Sequence, residues 1–288
     1  MAPSKVVESA AAAVADIGDG ASIAVGGFGL CGVPIDLIEA LVASGATGLT
    51  VVSNNCGVDG GGLGLLLDQH RVARAIGSYV GENREFARQF LAGELEVELI
   101  PQGTLAERLR SGGCGIPAFY TPAGVGTLIA EGGLPWRYAA DGSVALASPP
   151  REVREFDGRP YVLERSITTD FAFVRASRGD TFGNLCFDKA TRNFNPLCAM
   201  AGKVAIAEVE DLVPAGALDP ASVHLPGVFV QRVVKADDSR EKRIEKRTTR
   251  PRAHGTSAGT SAGSDGADGS DGADGADGAD GADREGTA

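Results

Sequence analysis

The chain has 288 residues, of which 43% are hydrophobic and 23% charged, and its formal net charge is −11. That composition is close to the average for globular proteins and excludes a wholly disordered chain. An acidic balance argues against a nucleic-acid surface, which requires clustered lysine and arginine. Because the sequence shows neither a secretory leader nor an apolar run of about 18 residues, we expect a cytoplasmic protein that does not enter a membrane.

Most of the net negative charge, −7 of −11, lies at the C-terminal end. Between Thr256 and Ala288 there are seven Asp and one Glu against one Arg, and Asp265 to Asp283 repeats Asp-Gly-Ala or Asp-Gly-Ser with a period of three. A tract without large apolar side chains cannot bury enough surface to offset the entropic cost of ordering the chain. We therefore expect one folded domain at 1–252 and a disordered acidic tail at 253–288.

The cysteine pattern argues against a metal site or a redox pair. No two of the five cysteines have the Cys-x-x-Cys spacing, and the three histidines do not cluster with them. We expect no bound metal and five reduced, buried thiols, at Cys31, Cys56, Cys114, Cys186 and Cys198.

The first 52 residues predict a βαβ unit. An apolar stripe indicates a helix at about 4–17, with Ser4 as its cap, and a short apolar run indicates a strand at 21–25. A glycine-rich loop, a helix at 35–43 and a strand at 49–52 follow. A strand, loop, helix and strand within about 30 residues imply a parallel sheet.

The alternation of strands and helices continues through the middle of the chain. The patterns predict strands at 74–80 and 95–100 and helices at 83–91 and 104–110. After Ser111 the sequence becomes rich in glycine and proline, which predicts turns. The predicted strands there are short: 143–147, 159–163, 171–176 and 204–208. We therefore expect an α/β fold, with a parallel or mixed sheet and a β-rich second half.

The loop after the first predicted strand is the main candidate for a binding site. Its sequence Gly27-Phe28-Gly29-Leu30-Cys31-Gly32 matches the Gly-x-Gly-x-x-Gly pattern of dinucleotide-binding proteins. That pattern also requires an acidic residue at the end of the second strand, where this chain has Ser53-Asn54-Asn55. The dinucleotide alternative is thus disfavoured but stays open. A glycine loop with unpaired N–H groups before a helix also predicts a site for an anion or a carbonyl oxygen.

Several motifs follow one another along the chain in an order typical of one enzyme family. They are DGASIAVGGFGLCGVP at 19–34, SNNCGVD at 53–59, SYVGEN at 78–83, GELEVEL at 93–99, PQGTLAER at 101–108, GIPAFYTP at 115–122, PREVREF at 150–156 and RNFN at 192–195. Together they resemble the A-type subunit of the family I CoA-transferases, and in particular the succinyl-CoA:3-oxoacid CoA-transferases. The resemblance extends to about Arg247 and covers nearly the whole predicted domain.

The resemblance implies a CoA-transferase-like (NagB/RpiA-like) domain and half of an active site. In the family, a glutamate attacks the acyl-CoA thioester and CoA moves between two carboxylic acids by a ping-pong route. That glutamate lies in the B-type subunit, in a Glu-Asn-Gly context, whereas Glu82-Asn83 of this chain is followed by Arg84 and matches an A-type stretch. The resemblance therefore implies a B-type partner, an A2B2 heterotetramer, a CoA thioester as substrate and no permanently bound cofactor.

The resemblance also assigns candidate site residues. Gln102 matches the family glutamine that reaches the thioester, where its amide would donate to the carbonyl or oxyanion; a solvent-facing glutamine is the alternative. Asn54 and Asn55 are candidates for binding the acyl carboxylate or pantetheine amides, or else form an ordinary Asx turn. Phe119 and Tyr120 either wall the pocket or belong to the core. The family's CoA-side loop corresponds to Gly26, Gly27, Phe28, Gly29, Leu30, Cys31 and Gly32.

Three functional alternatives remain open at this level. The acid pair could be short-chain acyl with acetoacetate, or 3-oxoadipate, instead of succinate with a 3-oxoacid. The chain could also be a CoA-binding module without a catalytic partner. The third alternative is the dinucleotide-binding protein that the glycine pattern permits.

Overall fold

The computed structural model describes residues 3–239 and the backbone of two further short strands at 242–244 and 247–249. The predicted domain boundary at residue 252 and the predicted disordered tail at 253–288 lie outside the described residues.

The first half of the chain alternates between helices and strands, as predicted. Its elements are α1 (Ala10–Val14), β1 (Ser22–Val25), α2 (Ile35–Ser44), β2 (Leu49–Val52), α3 (Gly64–Asp68), β3 (Val72–Gly77), α4 (Arg84–Leu91), β4 (Glu96–Leu99) and α5 (Gln102–Gly113). Strands β1 to β4 are neighbours in sequence order and pair in parallel. The expected βαβ unit with its parallel sheet is confirmed.

The second half is richer in strands. It contains β5 (Ala118–Thr121), α6 (Leu128–Glu131), β6 (Pro135–Tyr138), β7 (Val144–Ala147), β8 (Val153–Phe156), β9 (Arg159–Arg165), β10 (Thr169–Asp180), β11 (Leu185–Cys186), α7 (Asn195–Ala201), β12 (Gly202–Val213), β13 (Arg232–Lys235), β14 (Lys242–Ile244) and β15 (Arg247–Thr249). The central sheet has the order β13-β12-β10-β1-β2-β3-β4, with β11 antiparallel on β10. Small antiparallel sheets form from β5-β9-β8, β6-β7 and β14-β15. The predicted mixed sheet and β-rich second half are confirmed.

The central sheet is buried on both faces, which explains the nearly continuous apolar runs of its strands. Successive side chains of a strand point to opposite faces, so Ile23 and Val25 belong to one core cluster while Ala24 belongs to the other. Helices α1 and α2 cover the first face, where Leu37 and Leu41 are completely or almost completely buried. Helices α5 and α7 cover the second face.

The start of the first helix was predicted wrongly. Helix α1 is much shorter than expected, and its cap is Ser9, whose Oγ accepts the Ala12 amide at 3.1 Å. Ser4 therefore does not cap the helix. Before Ser9, Val6 forms a parallel bridge with Val233, and the Val7 amide donates to the Val233 carbonyl at 2.8 Å. This segment lies along the edge strand β13, a partner that a local apolar pattern does not reveal.

The cysteines differ in exposure, so the expectation of five buried thiols was wrong. All five are unpaired, and Cys56 and Cys198 are buried. Burial raises the pKa of the Cys56 thiol to about 12 and raises that of Cys198 as well. Cys31 and Cys186 are half-buried and Cys114 is exposed. Across the described residues no cluster of metal-ligating side chains occurs.

In the part of the chain that the structure describes, no helix is long and apolar enough to cross a membrane.

Candidate active site

The candidate site lies at the carboxyl ends of four neighbouring parallel strands. The glycine loop connects β1 to α2, Asn54 and Asn55 follow β2, Ser78 follows β3, and Gln102 begins α5 just after β4. Because parallel strands end at the same edge of a sheet, ligands in open α/β sheets bind at such an edge. The structure thus brings together the glycine loop, the two asparagines and Gln102, as the sequence predicts.

A chain of side-chain amides links Gln102 to the glycine loop. The Gln102 Nε2 donates to Asn54 Oδ1 at 2.7 Å, and the Asn54 Nδ2 donates to Asn55 Oδ1 at 3.2 Å. The Gly29 amide then donates to the same Asn55 oxygen at 2.9 Å. Ser78 Oγ supplies a second donor to Asn54 Oδ1, at 2.8 Å. We call Gln102, Asn54 and Asn55 the amide chain.

The amide chain is buried at one end and open at the other. Asn54 and Asn55 are only 1% and 7% exposed, whereas Gln102 is exposed. The Oδ1 atoms of Asn54 and Asn55 accept hydrogen bonds from other elements, which is more than an Asx turn requires, because such a turn bonds to its own backbone two residues on. This arrangement orients Gln102 and the loop relative to each other, with Gln102 at the solvent side.

The glycine loop is shaped by contacts that exclude side chains. At Gly27, φ is +122°, and a Cβ there would lie 2.5 Å from Val33 Cγ2. At Gly26, a Cβ would lie only 2.0 Å from Asn195 Oδ1. Real Cβ atoms do not approach other atoms so closely, so both positions require glycine in this conformation.

The loop does not carry the row of unpaired N–H groups that we expected. Many of its amides already donate within the chain, because the surrounding carbonyl and asparagine oxygens lie within reach. Phe28 and Cys31 close a tight turn, each amide donating to the other's carbonyl at 3.0 Å. The amides with partners inside the chain are those of Gly26, Gly27, Phe28, Gly29 and Cys31. A ligand at this loop would therefore contact a loop whose shape is already fixed, and few of the loop's N–H groups would be free to donate to it.

The N-terminus of α2 is occupied by a side-chain carboxyl group of the chain itself. Glu208 on β12 is completely buried, and its Oε2 accepts the amides of Asp36 at 2.9 Å and Leu37 at 3.3 Å. Arg175 Nη1 lies 3.3 Å from the other carboxyl oxygen. The dinucleotide fingerprint places a pyrophosphate at this helix end, so the occupied terminus argues further against that alternative.

The protonation of Glu208 should make stability depend on pH. Burial raises the pKa of its carboxyl to about 8, although Arg175 and the two amides oppose the shift. Between the pKa of an unfolded Glu and that value the folded chain holds one extra proton, so the free energy of unfolding falls as the pH rises. We expect a fall on the order of 3 kcal/mol between about pH 5 and about pH 8. Glu208→Gln should remove that component, which denaturant unfolding at both pH values measures.

The control for this variant is Glu107→Gln. Glu107 is a partly exposed glutamate on α5, ion-paired with Arg110 at 2.6 Å, and the pKa of its carboxyl is lowered chiefly by a hydrogen bond from that arginine. It stays ionised over the same pH range, so its replacement should leave the slope of stability against pH unchanged. If Glu208→Gln kept the wild-type slope, a group other than Glu208 would be responsible for the fall in stability with pH.

A buried ion-pair network fixes the β4–α5 turn that carries Gln102. Glu98 on β4 contacts Arg108 of α5 at 2.8 Å and Arg74 of β3 at 2.7 Å. Burial alone would raise the pKa of Glu98, but the two arginines hold it below its ordinary value. Arg151 pairs with the buried Glu164 beside them. Because both ends of the turn are tied into this network, Gln102 has a defined position.

A mainly apolar cavity of about 490 Å³ adjoins the first turn of α5. At its rim Leu99 and Leu128 are 40% and 50% exposed. The lining residues are Ser78, Leu99, Ile100, Pro101, Thr127, Leu128, Ile129 and Leu134. Since Pro101 precedes Gln102 and Ser78 contacts the amide chain, the cavity opens directly beside the candidate site.

Two other candidates lie away from this cavity's lining. Phe119 and Tyr120 belong to β5 of the three-stranded sheet, where the Tyr120 hydroxyl donates to Glu152 at 2.6 Å. The Tyr120 ring packs edge-on against Phe156, with the centroids 5.0 Å apart. Tyr120 is therefore part of the packing within that small sheet.

Two asparagines near the loop were given no role by the sequence reasoning. Asn193 and Asn195 hydrogen-bond to the loop from a segment 166 and 163 residues away in sequence. They lie in the RNFN motif at 192–195, which supported the family resemblance but contains no local signal of loop contact. Such contacts depend on the order of strands in the sheet, which a single sequence does not specify.

Comparison with known proteins agrees with the motifs. A family profile described as Coenzyme A transferase matches residues 7–236. The A-type subunit of a "Probable succinyl-CoA:3-ketoacid coenzyme A transferase" of Mycobacterium tuberculosis (strain ATCC 25618 / H37Rv) is 67% identical over 246 residues, which cover 85% of this chain and 99% of that protein. The chain belongs to the coenzyme A transferase family. For this CoA-transferase chain, the resemblance to the A-type subunit is likewise confirmed.

Further relatives of this CoA-transferase chain agree in sequence and in fold. A Bacillus subtilis (strain 168) protein of the same name is 56% identical over 244 residues, covering 85% of this chain and 94% of that protein. The solved glutaconate coenzyme A-transferase of Acidaminococcus fermentans superposes with a TM-score of 0.67 at 22% identity, covering 81% of this chain and 76% of that one. An acyl-CoA transferase of Escherichia coli O157:H7 gives 0.70 at 24% identity, covering 85% and 48%. These two structures support the fold.

Proposed function

We propose that the chain is the A-type subunit of a heteromeric 3-oxoacid CoA-transferase, which moves CoA from succinyl-CoA to a 3-oxoacid such as acetoacetate. One structural observation carries the proposal. The amide chain holds Gln102 and the glycine loop together at the carboxyl edge of the sheet. The names of the relatives as succinyl-CoA:3-ketoacid transferase subunits support the choice of acids.

The proposed reaction uses a carboxylate nucleophile and conserves the thioester's energy. A glutamate carboxylate attacks the acyl-CoA carbonyl, and the CoA thiolate leaves to give an acyl-glutamyl anhydride. The thiolate then attacks the glutamyl carbonyl and releases the first acid, so a glutamyl-CoA thioester remains. The second acid reverses these steps and receives CoA. Each step passes through a tetrahedral oxyanion that positioned N–H donors stabilise.

Gln102 is the proposed donor to that oxyanion. A primary amide carries two N–H groups, and the bond from Gln102 to Asn54 engages one of them. This bond fixes the orientation of the amide plane, so the second N–H has a set direction for a thioester oxygen. The exposed position of Gln102 beside the apolar cavity suits contact with an acyl-CoA.

The glutamate nucleophile is proposed to come from a B-type subunit. Glu82 of this chain precedes α4, whose cap is Asn83, and the Asn83 side chain accepts the Phe86 amide at 2.8 Å and donates to the Cys56 carbonyl at 2.9 Å. The Glu82-Asn83 pair is thus part of a helix start. We propose an A2B2 heterotetramer in which this site is completed by the partner's glutamate.

The glycine loop is proposed to form the CoA side of the site. Phe28 at its turn is 49% exposed, so a large apolar side chain already faces outward next to the amide chain. Ligand or partner contact would cover this surface. Gly26, Gly27, Gly29, Leu30, Cys31 and Gly32 shape the loop around it. The CoA thioester acts as substrate, and the proposal requires no permanently bound cofactor.

An acceptor screen tests the proposal. The chain is co-expressed with the B-type subunit of a CoA-transferase, the complex is purified, and succinyl-CoA is supplied with acetoacetate, a short-chain fatty acid or 3-oxoadipate. Formation of acetoacetyl-CoA at the highest kcat/KM is the expected result. Preference for another acid would change the assigned substrates, and CoA-thioester binding without transfer would support a non-catalytic module. Binding of NADH in place of CoA thioesters would contradict the proposal.

A further inference from the structure

A single side chain bridges the two ends of the glycine loop's turn. Asn193 Oδ1 accepts the Gly27 amide at 3.2 Å, and Asn193 Nδ2 donates to the Cys31 carbonyl at 3.1 Å. Gly27 and Cys31 lie on opposite sides of the turn that Phe28 begins. Because the amide uses its oxygen on one side and its nitrogen on the other, it links the two ends of a turn that the Phe28 and Cys31 backbone bonds close.

Asn195 hydrogen-bonds to the last residue of the glycine loop. Its side chain is completely buried, its Nδ2 donates to the Gly32 carbonyl at 3.0 Å, and its Oδ1 accepts the Arg175 amide at 2.9 Å. The absence of side chains at two glycines of the loop leaves room for the Asn195 side chain. A Cβ would lie 2.0 Å from Asn195 Oδ1 at Gly26 and 2.9 Å from its Nδ2 at Gly32. The Asn195 side chain therefore packs closely against Gly26 and Gly32.

These contacts reach the loop from a different element than the amide chain does. Asn55 holds Gly29 from the end of β2, while Asn193 holds Gly27 and Cys31 from the segment that precedes α7. Two separate elements therefore hydrogen-bond to the loop between Gly27 and Cys31. The hydrogen bonds go to peptide groups of the loop, so the asparagines act on a ligand through the loop.

We propose that Asn193 and Asn195 are positioning residues that hold the glycine loop in the shape that receives the CoA thioester. The inference rests on the proposed function for the identity of the ligand, and on the hydrogen bonds alone for the rigidity of the loop. Neither asparagine is assigned contact with the reacting atoms. Their contribution is to reduce the ordering that the loop must undergo when it binds a ligand, which lowers the KM for the acyl-CoA.

Asn193→Ala is the informative variant, because Asn193 is only half-buried. Replacing the completely buried Asn195 would leave the Arg175 amide without its acceptor and endanger folding. A matched control is Asn184→Ala. The Asn184 side chain likewise bonds across a loop, donating to Asp180 at 2.8 Å and accepting the Gly227 amide at 2.8 Å, but away from the glycine loop.

Two measurements separate the inference from the proposed function. In the complex with the B-type subunit, Asn193→Ala should raise the KM for succinyl-CoA about 10-fold or more, with a smaller change in kcat, since two hydrogen bonds no longer order the loop. In the chain without its partner, hydrogen–deuterium exchange followed by mass spectrometry should become faster in the peptide containing residues 26–32. Asn184→Ala should change neither quantity.

The outcomes are distinguishable. If the wild-type complex transferred no CoA, the proposed function would fail, and the exchange experiment would still decide whether Asn193 orders the loop. Unchanged exchange in the loop peptide would overturn the inference whatever the activity. An active wild-type complex in which Asn193→Ala kept the wild-type KM would overturn it as well.

Discussion

Replacing Gln102 with alanine should lower the kcat of the complex about 10²–10³-fold, the effect of removing one oxyanion donor from an ordered site. The KM for the acyl-CoA should change much less, because the donor acts mainly on the transition state. Gln102 occupies the first position of α5 and is exposed, so alanine leaves the helix intact. Steady-state kinetics with the B-type subunit present, at saturating acid, measure both constants.

The matched control for this variant is Gln69→Ala. Gln69 is an exposed glutamine at the end of α3, where it accepts a long hydrogen bond of 3.4 Å from Arg71. Both variants lose one exposed amide, and the wild-type melting temperature should persist in both. A kcat unchanged by Gln102→Ala would show that the amide serves only to contact Asn54.

Replacing Gly26 with alanine should damage both stability and activity. The added Cβ would lie 2.0 Å from Asn195 Oδ1 and 3.0 Å from the Asn195 Cα, so the neighbour includes backbone that cannot rotate away. Overpacking of this kind costs about 1–3 kcal/mol of unfolding free energy. Because the loop must shift to relieve the contact, we also expect kcat/KM to fall by more than about 10-fold. Denaturant unfolding and initial rates give the two values.

Gly18→Ala is the control for the effect of the substitution itself. A Cβ at Gly18 meets nothing within 4 Å, and Gly18 is not among the glycines with positive φ. Its replacement should preserve stability, or raise it slightly by restricting the unfolded chain. Equal behaviour of the two variants would mean that the loop tolerates a side chain at Gly26, which would contradict the tight packing against Asn195.

The elements that were predicted correctly share a local signal. Strands β1 and β2 are short apolar runs between turns, and α2 has an apolar stripe that begins after Pro34, so periodicity and turn residues suffice. The start of α1 was wrong because Val7 pairs with β13, more than 200 residues away. Strands β7 and β8 are exposed along their length. Strand β7 (VALA) is an apolar run and was predicted, whereas β8 (VREF) shows neither an apolar run nor an alternation and was missed.

The sequence predicts which residues belong to the site but not the hydrogen bonds that join them. Gln102, Asn54 and Asn55 were chosen from motifs, and their positions after parallel strands made proximity a reasonable expectation. The expectation of open N–H donors failed partly because of the local Phe28–Cys31 turn and partly because of long-range contacts. Glu208 reaches the α2 terminus from 172 residues away, and Asn193 reaches Gly27 from 166 residues away. Neither contact has a signature near the glycine loop itself.

The most direct test of the half-site proposal compares three samples in one CoA-transfer assay. They are this chain purified by itself, the purified B-type subunit of a CoA-transferase by itself, and the two mixed, each with succinyl-CoA and acetoacetate. Intact-protein mass spectrometry of the mixture with succinyl-CoA alone identifies which polypeptide carries covalent CoA. We expect turnover only in the mixture and CoA attached to the B-type partner. Substantial turnover by this chain without its partner, or covalent CoA on this chain, would contradict the proposal.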